Sequence, residues 1–448
     1  TLYALGFYAA FLLWLKHRNG DSIRSIVANG IRLGVFVGLG ILLASSYLWS
    51  MADAIRESNY LATRSQDTLL YRHLHFPLQN LITLLIPAYY GNGIFSSYWG
   101  VLNYIEITAY IGILPLFLSG MALLTRPRHP YILFFFLMAI LTLCVIYGIP
   151  PIHELVSALP LFSIGINTRL LALTTFALAV LAGFGFDSAL TASRTRPYLI
   201  IIMATTIAML GIVGFTEASW YFFSDQIQAA YQSVEGAFGH PSPQILTFWR
   251  SLPNGYLVQW LNLVVFIGWL GISCGLLWLQ RHRPLPSKWF GSLALLLVTG
   301  DLFLFGIWFN PATDPEQVFP VTSTTQRLMQ ENKDTPFRIL PLEWTLFGNT
   351  STVYGLANVG GHSISHSARY NRYLRAISPS DWDSRQHGTL ILFDRNEFDF
   401  GSNLLNLLNV KYLLDVPAGC DPLAGTVAVA QPALDTPSQQ VFGSHSEG

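Results

Sequence analysis

The sequence predicts an α-helical polytopic membrane protein with about eight spans and a small extracytoplasmic mixed α/β C-terminal domain. Three observations carry that prediction. Only 11% of the 448 residues are charged and 52% are hydrophobic, where a soluble domain carries roughly 25% charged residues. Long, almost uncharged apolar runs recur along the chain, and about twenty apolar residues suffice for a helix to cross the hydrocarbon layer. Positive charge alternates between the connections. Lys16–Arg32, Thr125–Pro130, Thr191–Pro197 and Arg281–Lys288 hold Lys16, Arg18, Arg24, Arg32, Arg126, Arg128, Arg194, Arg196, Arg281, Arg283 and Lys288. The intervening loops hold only Arg56, Arg64, Arg72 and Arg250. Lys and Arg are retained on the cytoplasmic side during insertion, so the second set of loops and the C-terminal domain are expected outside the cytoplasm.

Spans are expected near 1–15, 33–50, 101–124, 131–148, 168–190, 198–216, 256–280 and 289–309, in a transmembrane domain covering 1–310. The first run is short and begins at Thr, without the charged segment and small-residue cleavage site of a signal peptide. More protein is therefore expected before residue 1. Outer loops fall at 51–100, 149–168 and 217–254. Tyr47, Trp49, Tyr98, Trp99, Tyr104, Trp220, Tyr221, Tyr256, Trp260 and Trp308 gather at the outer ends, as amphipathic rings do at headgroup level. Phe76–Tyr90 is apolar, too short to span, and carries Pro77 and Pro87. It reads as a re-entrant or interfacial helix, and 217–238 as a helix lying on the membrane surface.

After Asn310-Pro311 the composition changes. Nine Lys/Arg stand against fourteen Asp/Glu between 311 and 448, a net charge of −5. Strand-like runs at Phe337–Leu342 and Val410–Asp415, with helical stretches at Ser367–Ile377 and Asn403–Leu408, predict an α/β domain over 311–430. Residues 431–448, rich in Pro, Ser and Gly, read as a disordered tail. The chain's formal net charge is zero, so composition gives no basis for a nucleic-acid partner. Cys144 and Cys274 sit in apolar runs and Cys420 stands alone in the outer domain, so no disulfide framework is indicated.

Ionisable residues within spans cost several kcal/mol unless paired and are functional candidates by default. Glu106 is expected about one and a half turns into its span from the outer surface, Asp301 near mid-membrane, and Arg169 at the outer end of the fifth span. With Asn103 and Tyr110 they form a candidate outward-facing polar cavity. Helix–helix hydrogen bonding by the acids, and headgroup contact by Arg169, are the structural alternatives. Arg64, Arg72 and Arg169 are candidate phosphate contacts, because a guanidinium fork matches phosphate oxygens. His73-x-His75 has no third ligand at useful spacing. Asp381-Trp382-Asp383 imitates the D-x-D that holds a metal and sugar phosphate in many glycosyltransferases, but it follows Ser378-Pro379-Ser380, where turn or capping chemistry accounts for it. No metal ligands are assigned, and a divalent metal cofactor has no clear site.

Several stretches together resemble a known family. They are Asn80-Leu-Ile-Thr-Leu-Leu-Ile-Pro-Ala-Tyr-Tyr-Gly91, Tyr98-Trp99, and Asn103-Tyr104-x-Glu106-x3-Tyr110-x-Gly112-x2-Pro115-Leu116. Pro160-Leu-Phe162 running to Arg169, and Ala182-Gly183-x-Gly185-x-Asp187, follow. Then come Asp301-Leu-Phe-x-Phe-Gly306, Phe309-Asn310-Pro311 and Phe337-Arg338-Ile-Leu, and finally Tyr354-Gly355-Leu-x-Asn358-Val-x-Gly361 and Leu405-Asn-Leu-Leu-Asn-Val-Lys-Tyr412. In order and topology they resemble the YfhO-like bacterial membrane proteins, grouped with the GT-C type polytopic glycosyltransferases. The resemblance implies a bacterial plasma-membrane, cell-envelope protein that takes sugar from a polyprenyl-phosphate-linked donor. The acceptor would be a glycopolymer, lipid or protein on the extracytoplasmic face. It also implies that the principal catalytic carboxylate lies in an outer loop upstream of residue 1. Glu106 and Arg169 match positions at the cavity mouth and Asp301 one within it. The competing expectation is a non-catalytic GT-C-like scaffold or accessory subunit, docking other membrane subunits.

Overall fold

The computed structural model describes residues 2–58, 75–91, 106–160, 162, 167–191, 211, 252–309, 314, 318–342, 345–346, 348–363, 366–377, 390–391, 393, 401–415 and 428–430. The chain divides into two compact units, one formed by Thr1–Asp67 with Thr313–Gly448 and the other by Thr68–Ala312. Among the described residues, four helical stretches are long and apolar enough to cross a membrane: Ile23–Leu43, Asn167–Thr191, Leu261–His282 and Ser287–Ile307. The protein is a mostly helical membrane-type chain with a small sheet.

The first unit opens with α1 (Leu2–Arg18) and α2 (Ile23–Leu43), joined by a turn at Gly20, whose φ of +87° suits glycine. The expected span 33–50 is displaced. Helix α2 starts ten residues earlier, because the Ser22 hydroxyl accepts the Ser25 N–H at 3.3 Å and caps it. Arg24 and Arg32 therefore lie on the helix rather than in a loop, where long stems let charged heads reach the headgroups. The helix ends at Leu43, and after Ala44 a separate helix, α3 (Ser45–Glu57), carries Tyr47 and Trp49, both exposed. An isolated antiparallel bridge pairs Ser58 beyond α3 with Ser367 of the same unit.

The second unit holds α4 (Ile113–Thr125), α5 (Pro130–Ile146), α6 (Ile152–Ser157), α7 (Leu171–Thr191), α8 (Leu252–His282) and α9 (Ser287–Phe309). Helix α4 is central, packing on α7, α8 and α9, while α5 lies against α7. The expected span 101–124 is corrected here: its helix begins only at Ile113, and residues 106–112 run as irregular backbone up to Gly112 at φ +91°. The apolar segment 76–90 folds as a 3-10 helix, Leu78–Leu84, followed by turns, and Phe76, Ile82, Ile86 and Tyr90 are buried in the core. The Phe76 N–H donates to the Ile146 carbonyl, the Thr83 hydroxyl to that of Ile107, and the Asn262 amide to that of Ala88. The span expected at 198–216 and the surface helix at 217–238 lie outside the described residues, residue 211 apart.

Packing between α4 and α7 follows membrane rules, in which small residues allow backbones to approach and hydroxyls link helices. Ser119 donates to the Leu178 carbonyl at 2.7 Å and Thr125 to the Ser188 hydroxyl at 3.0 Å. At Gly185 a Cβ would stand 1.8 Å from the Leu118 carbonyl oxygen. Only a residue without a side chain fits there.

The remainder of the first unit is a three-layer arrangement. Its sheet has the order β2 (Ala357–Asn358), β1 (Arg338–Pro341), β5 (Val410–Asp415), β6 (Ala428–Ala430), parallel through the first three and antiparallel at β6. Strands β3 (Gly361–His362) and β4 (Leu390–Ile391) form a separate antiparallel pair. The β1–β5 register shifts between Arg338 and Ile339, from Val410 to Tyr412, so Val410 falls out of the alternation. Beyond that bulge side chains alternate across the strand, and Ile339, Tyr412 and Leu414 meet Leu328 of α10 (Ser323–Asp334) on one face. Leu340, Val410 and Leu413 meet Leu374 and Ile377 of α11 (Ala368–Ile377) on the other, beside Leu405 of the short α12 (Leu404–Leu407). The tail at 431–448 lies outside the described residues.

Helix α10 is tied to β5 electrostatically. The Glu331 carboxylate accepts from Arg327 Nε at 2.9 Å, from Lys411 Nζ at 3.1 Å and from the Tyr412 hydroxyl. The Tyr412 bond, then those of Arg327 and Lys411, hold the Glu331 pKa down to about 2. A depressed carboxylate contributes stability above its unfolded pKa and loses it as pH falls through the folded value.

Two outcomes follow from these contacts. Gly185→Ala lowers the thermal midpoint of the detergent-solubilised protein, at a cost of about 1–3 kcal/mol or more from overpacking, whereas Gly183→Ala, where a Cβ would meet nothing within 4 Å, stays near wild type. Hydrogen-exchange protection of β5, corrected for intrinsic rates, falls between about pH 5 and 2 in the native protein. In Glu331→Gln it is already reduced at neutral pH and changes little over that window.

Candidate functional site

Among the sequence-selected residues, two pairs come together in the helical unit. The first is Asp301 with Tyr110. Asp301 sits on α9 and is only 3% exposed. The Tyr110 hydroxyl lies 2.8 Å from Oδ1 and 2.9 Å from Oδ2, and Oδ2 also accepts the Ile113 backbone N–H at 3.0 Å. The local sequence explains this. Gly112 turns the chain with a positive φ, Pro115 suits a first helical turn, and the N–H groups there have no helical acceptor. A carboxylate at that point satisfies a donor and favours the positive end of the helix. The Tyr110 ring packs edge-on against Phe305, one turn beyond Asp301 on α9. A Cβ on Gly112 would stand 3.3 Å from Asp301 Oδ2.

The second pair is Arg169 with Glu106. Arg169 lies in the 3-10 turn Asn167–Leu170 that leads into α7. Asn167 fixes that turn, donating to the Ser157 hydroxyl and the Phe162 carbonyl, both at 3.2 Å. Arg169 Nη2 meets Glu106 Oε1 at 2.8 Å, with side chains 69% and 30% exposed. A pair so exposed is worth about 0–1 kcal/mol, so it contributes little to holding the fold. The neighbouring Thr168 hydroxyl is buried without a hydrogen-bond partner among the described residues.

The two pairs differ in chemistry. Asp301 is enclosed and its described bonds are those of a structural cap. The Arg169 side chain is exposed, and Glu106 is its ion partner among the described residues. Asn103, Arg64, Arg72, His73, Asp381 and Asp383 lie outside the described residues. His75 is exposed and packs edge-on to His153, with ring centroids 5.8 Å apart, and His153 Nδ1 is bonded to the Val145 carbonyl at 2.7 Å. Among the described residues, no three or more His, Cys, Asp and Glu side chains cluster as metal ligands would. Sequence reasoning missed the Ile113 N–H as a partner of Asp301, and Gly112-x2-Pro115 was the signal that could have found it.

No family model, curated protein or solved structure matches this chain.

Truncating Asp301 strands both the Tyr110 hydroxyl and the Ile113 N–H. Asp301→Ala therefore destabilises more than Asp301→Asn, which keeps one acceptor oxygen, and each stranded donor costs about 1–3 kcal/mol. A cycle with Tyr110→Phe, measured by thermal unfolding in detergent, should give a coupling of about 0.5–3 kcal/mol. A coupling near zero would mean that the Tyr110–Asp301 bond does not hold the two elements together.

Proposed function

We propose that this protein is a membrane glycosyltransferase-like enzyme that moves a sugar from a polyprenyl-phosphate-linked donor to an acceptor on the extracytoplasmic face. The observation that carries the reading is the Arg169–Glu106 pair: an exposed guanidinium at the mouth of an apolar helix, held through one nitrogen by one carboxylate oxygen. The chemistry needs such a group. As the acceptor hydroxyl attacks the anomeric carbon, the carbon–oxygen bond to the lipid phosphate breaks and charge gathers on the departing phosphate. A preorganised cation at that point lowers the barrier, and a guanidinium meets a phosphate with two parallel bonds. Glu106 serves as the positioning residue, aiming the guanidinium. The base that takes the acceptor proton is not assigned among these residues. The charge pattern of the connections supports an outward location for Arg169, and the family resemblance supports the donor class.

The engagement of Asp301 as a helix cap favours the second reading, a non-catalytic scaffold of the same architecture that docks other membrane subunits. Reconstitution with a polyprenyl-phosphate-linked hexose separates the two, with released polyprenyl phosphate as the readout. Under the enzyme reading Arg169→Ala loses about a hundredfold in kcat/KM, or about 2.7 kcal/mol of transition-state stabilisation, and Arg169→Lys falls between it and wild type. Wild-type rates in both variants would remove Arg169 from the site, and absence of donor binding by the native protein would favour the scaffold. In a cysteine-free background, cysteines at Asn92 and Asp383 should react with impermeant thiol reagents in intact cells. Those at Thr125 and Ser193 should react only after permeabilisation, and the reverse pattern would invert the orientation.

A further inference from the structure

In the outer part of the first unit, the loops that leave β1 and β2 meet at the carboxyl edge of the parallel strands. Open α/β sheets bind ligands in the crevice outside that edge. The two loops are clamped there by one side chain. Asn349 Nδ2 donates to the His362 carbonyl at 2.8 Å, and Asn349 Oδ1 accepts the His362 N–H at 3.0 Å. Asp415 ends β5 at the same edge, since the Leu342 N–H just after β1 bonds the Leu414 carbonyl. Within the first loop, Thr345 and Ser351 are 6% and 1% exposed, and neither hydroxyl has a hydrogen-bond partner among the described residues.

Buried hydroxyls are almost always bonded, and an unbonded one calls for a functional or strain explanation. Two of them in one crossover, at the sheet edge where such folds take ligands, have a joint explanation. We propose that this edge is a saccharide-binding site. Its ligand is a neutral sugar unit, taken up when the Asn349–His362 clamp opens. The Ser351 and Thr345 hydroxyls then bond the sugar's hydroxyls from below, with Asn349, His362 and Asp415 at the rim. Short hydroxyls, a carboxamide and one carboxylate match a polyol, and no cationic side chain belongs to this set, so a phosphate or acidic ligand does not fit it. Only the identification of that sugar as part of the transferase's acceptor rests on the function proposed above.

The test uses the full chain in nanodiscs and a panel of glucose, galactose, mannose, N-acetylglucosamine and their β-linked dimers, with binding read by saturation-transfer NMR. At least one saccharide binds, and Ser351→Ala and Asn349→Ala each weaken it by tenfold or more. Ser351→Ala leaves the thermal midpoint unchanged or raised, because the hydroxyl it removes has no partner among the described residues. A panel without a binder, or binding that survives both substitutions, overturns the proposal. The two proposals fail separately. Binding at this edge by a protein that never turns over the lipid-linked donor would remove the transferase reading and leave this site standing. Donor turnover with an acceptor KM untouched by Ser351→Ala and Asn349→Ala, and no saccharide bound, would do the reverse.

Discussion

A backbone group shut away from water must find its partner within the protein, and the helical unit depends on how it meets that constraint at one point. Between Glu106 and Gly112 the backbone is irregular, and α4 starts at Ile113 with donors that no helical carbonyl can accept. The carboxylate of Asp301, almost two hundred residues later, closes the gap. Non-helical backbone is tolerated at membrane depth only where protein supplies the missing partners. The same carboxylate pins Tyr110, so one side chain fixes both the irregular segment and the helix that follows it. Because α4 is packed by α7, α8 and α9, the position of the unit's central helix rests on that junction.

A division of labour between charges follows. Asp301 is enclosed and fully engaged by neighbours, the condition under which a polar group builds structure. Arg169 and Glu106 are exposed and loosely held, the condition under which a charge can exchange one partner for another. Ionisable residues in or beside apolar runs are all functional suspects by composition, and burial is what sorts them.

Much of this architecture was legible in the chain. Strands β1 and β5 lie within a residue of the Phe337–Leu342 and Val410–Asp415 runs, and α11 and α12 match Ser367–Ile377 and Asn403–Leu408 closely, because each is bounded by turn residues and has a clear period. The apolar runs 131–148, 168–190, 256–280 and 289–309 lie close to the observed helices α5, α7, α8 and α9, since length and apolarity suffice to find a helix. The failures share a cause. Apolarity alone cannot tell helix from irregular buried backbone, so the span opening at 101 ran through Gly112. Nor can charge mark a loop when an Arg stem can snorkel, so α2 was started too late. At the site, the residues Tyr110, Asp301, Glu106 and Arg169 were all selected. Their pairing was not, because contacts between residues so far apart in sequence are set by packing. Strands of two or three residues, such as β2 and β6, carry no readable period.

The order of the strands bears on how the sheet of the first unit assembles. Its central strand, β1, is flanked by β2 and by β5, and Ile339 finds Tyr412 only after the whole intervening chain has been made. Helices of the other unit draw on local bonds and can form as they are threaded into the bilayer. The sheet must wait for its last parallel neighbour, and loops of that length close slowly. During synthesis the apolar faces of β1 and α11 are therefore uncovered for longer than any helix of the other unit, and a chain cut short before Val410 would leave them open to aggregation.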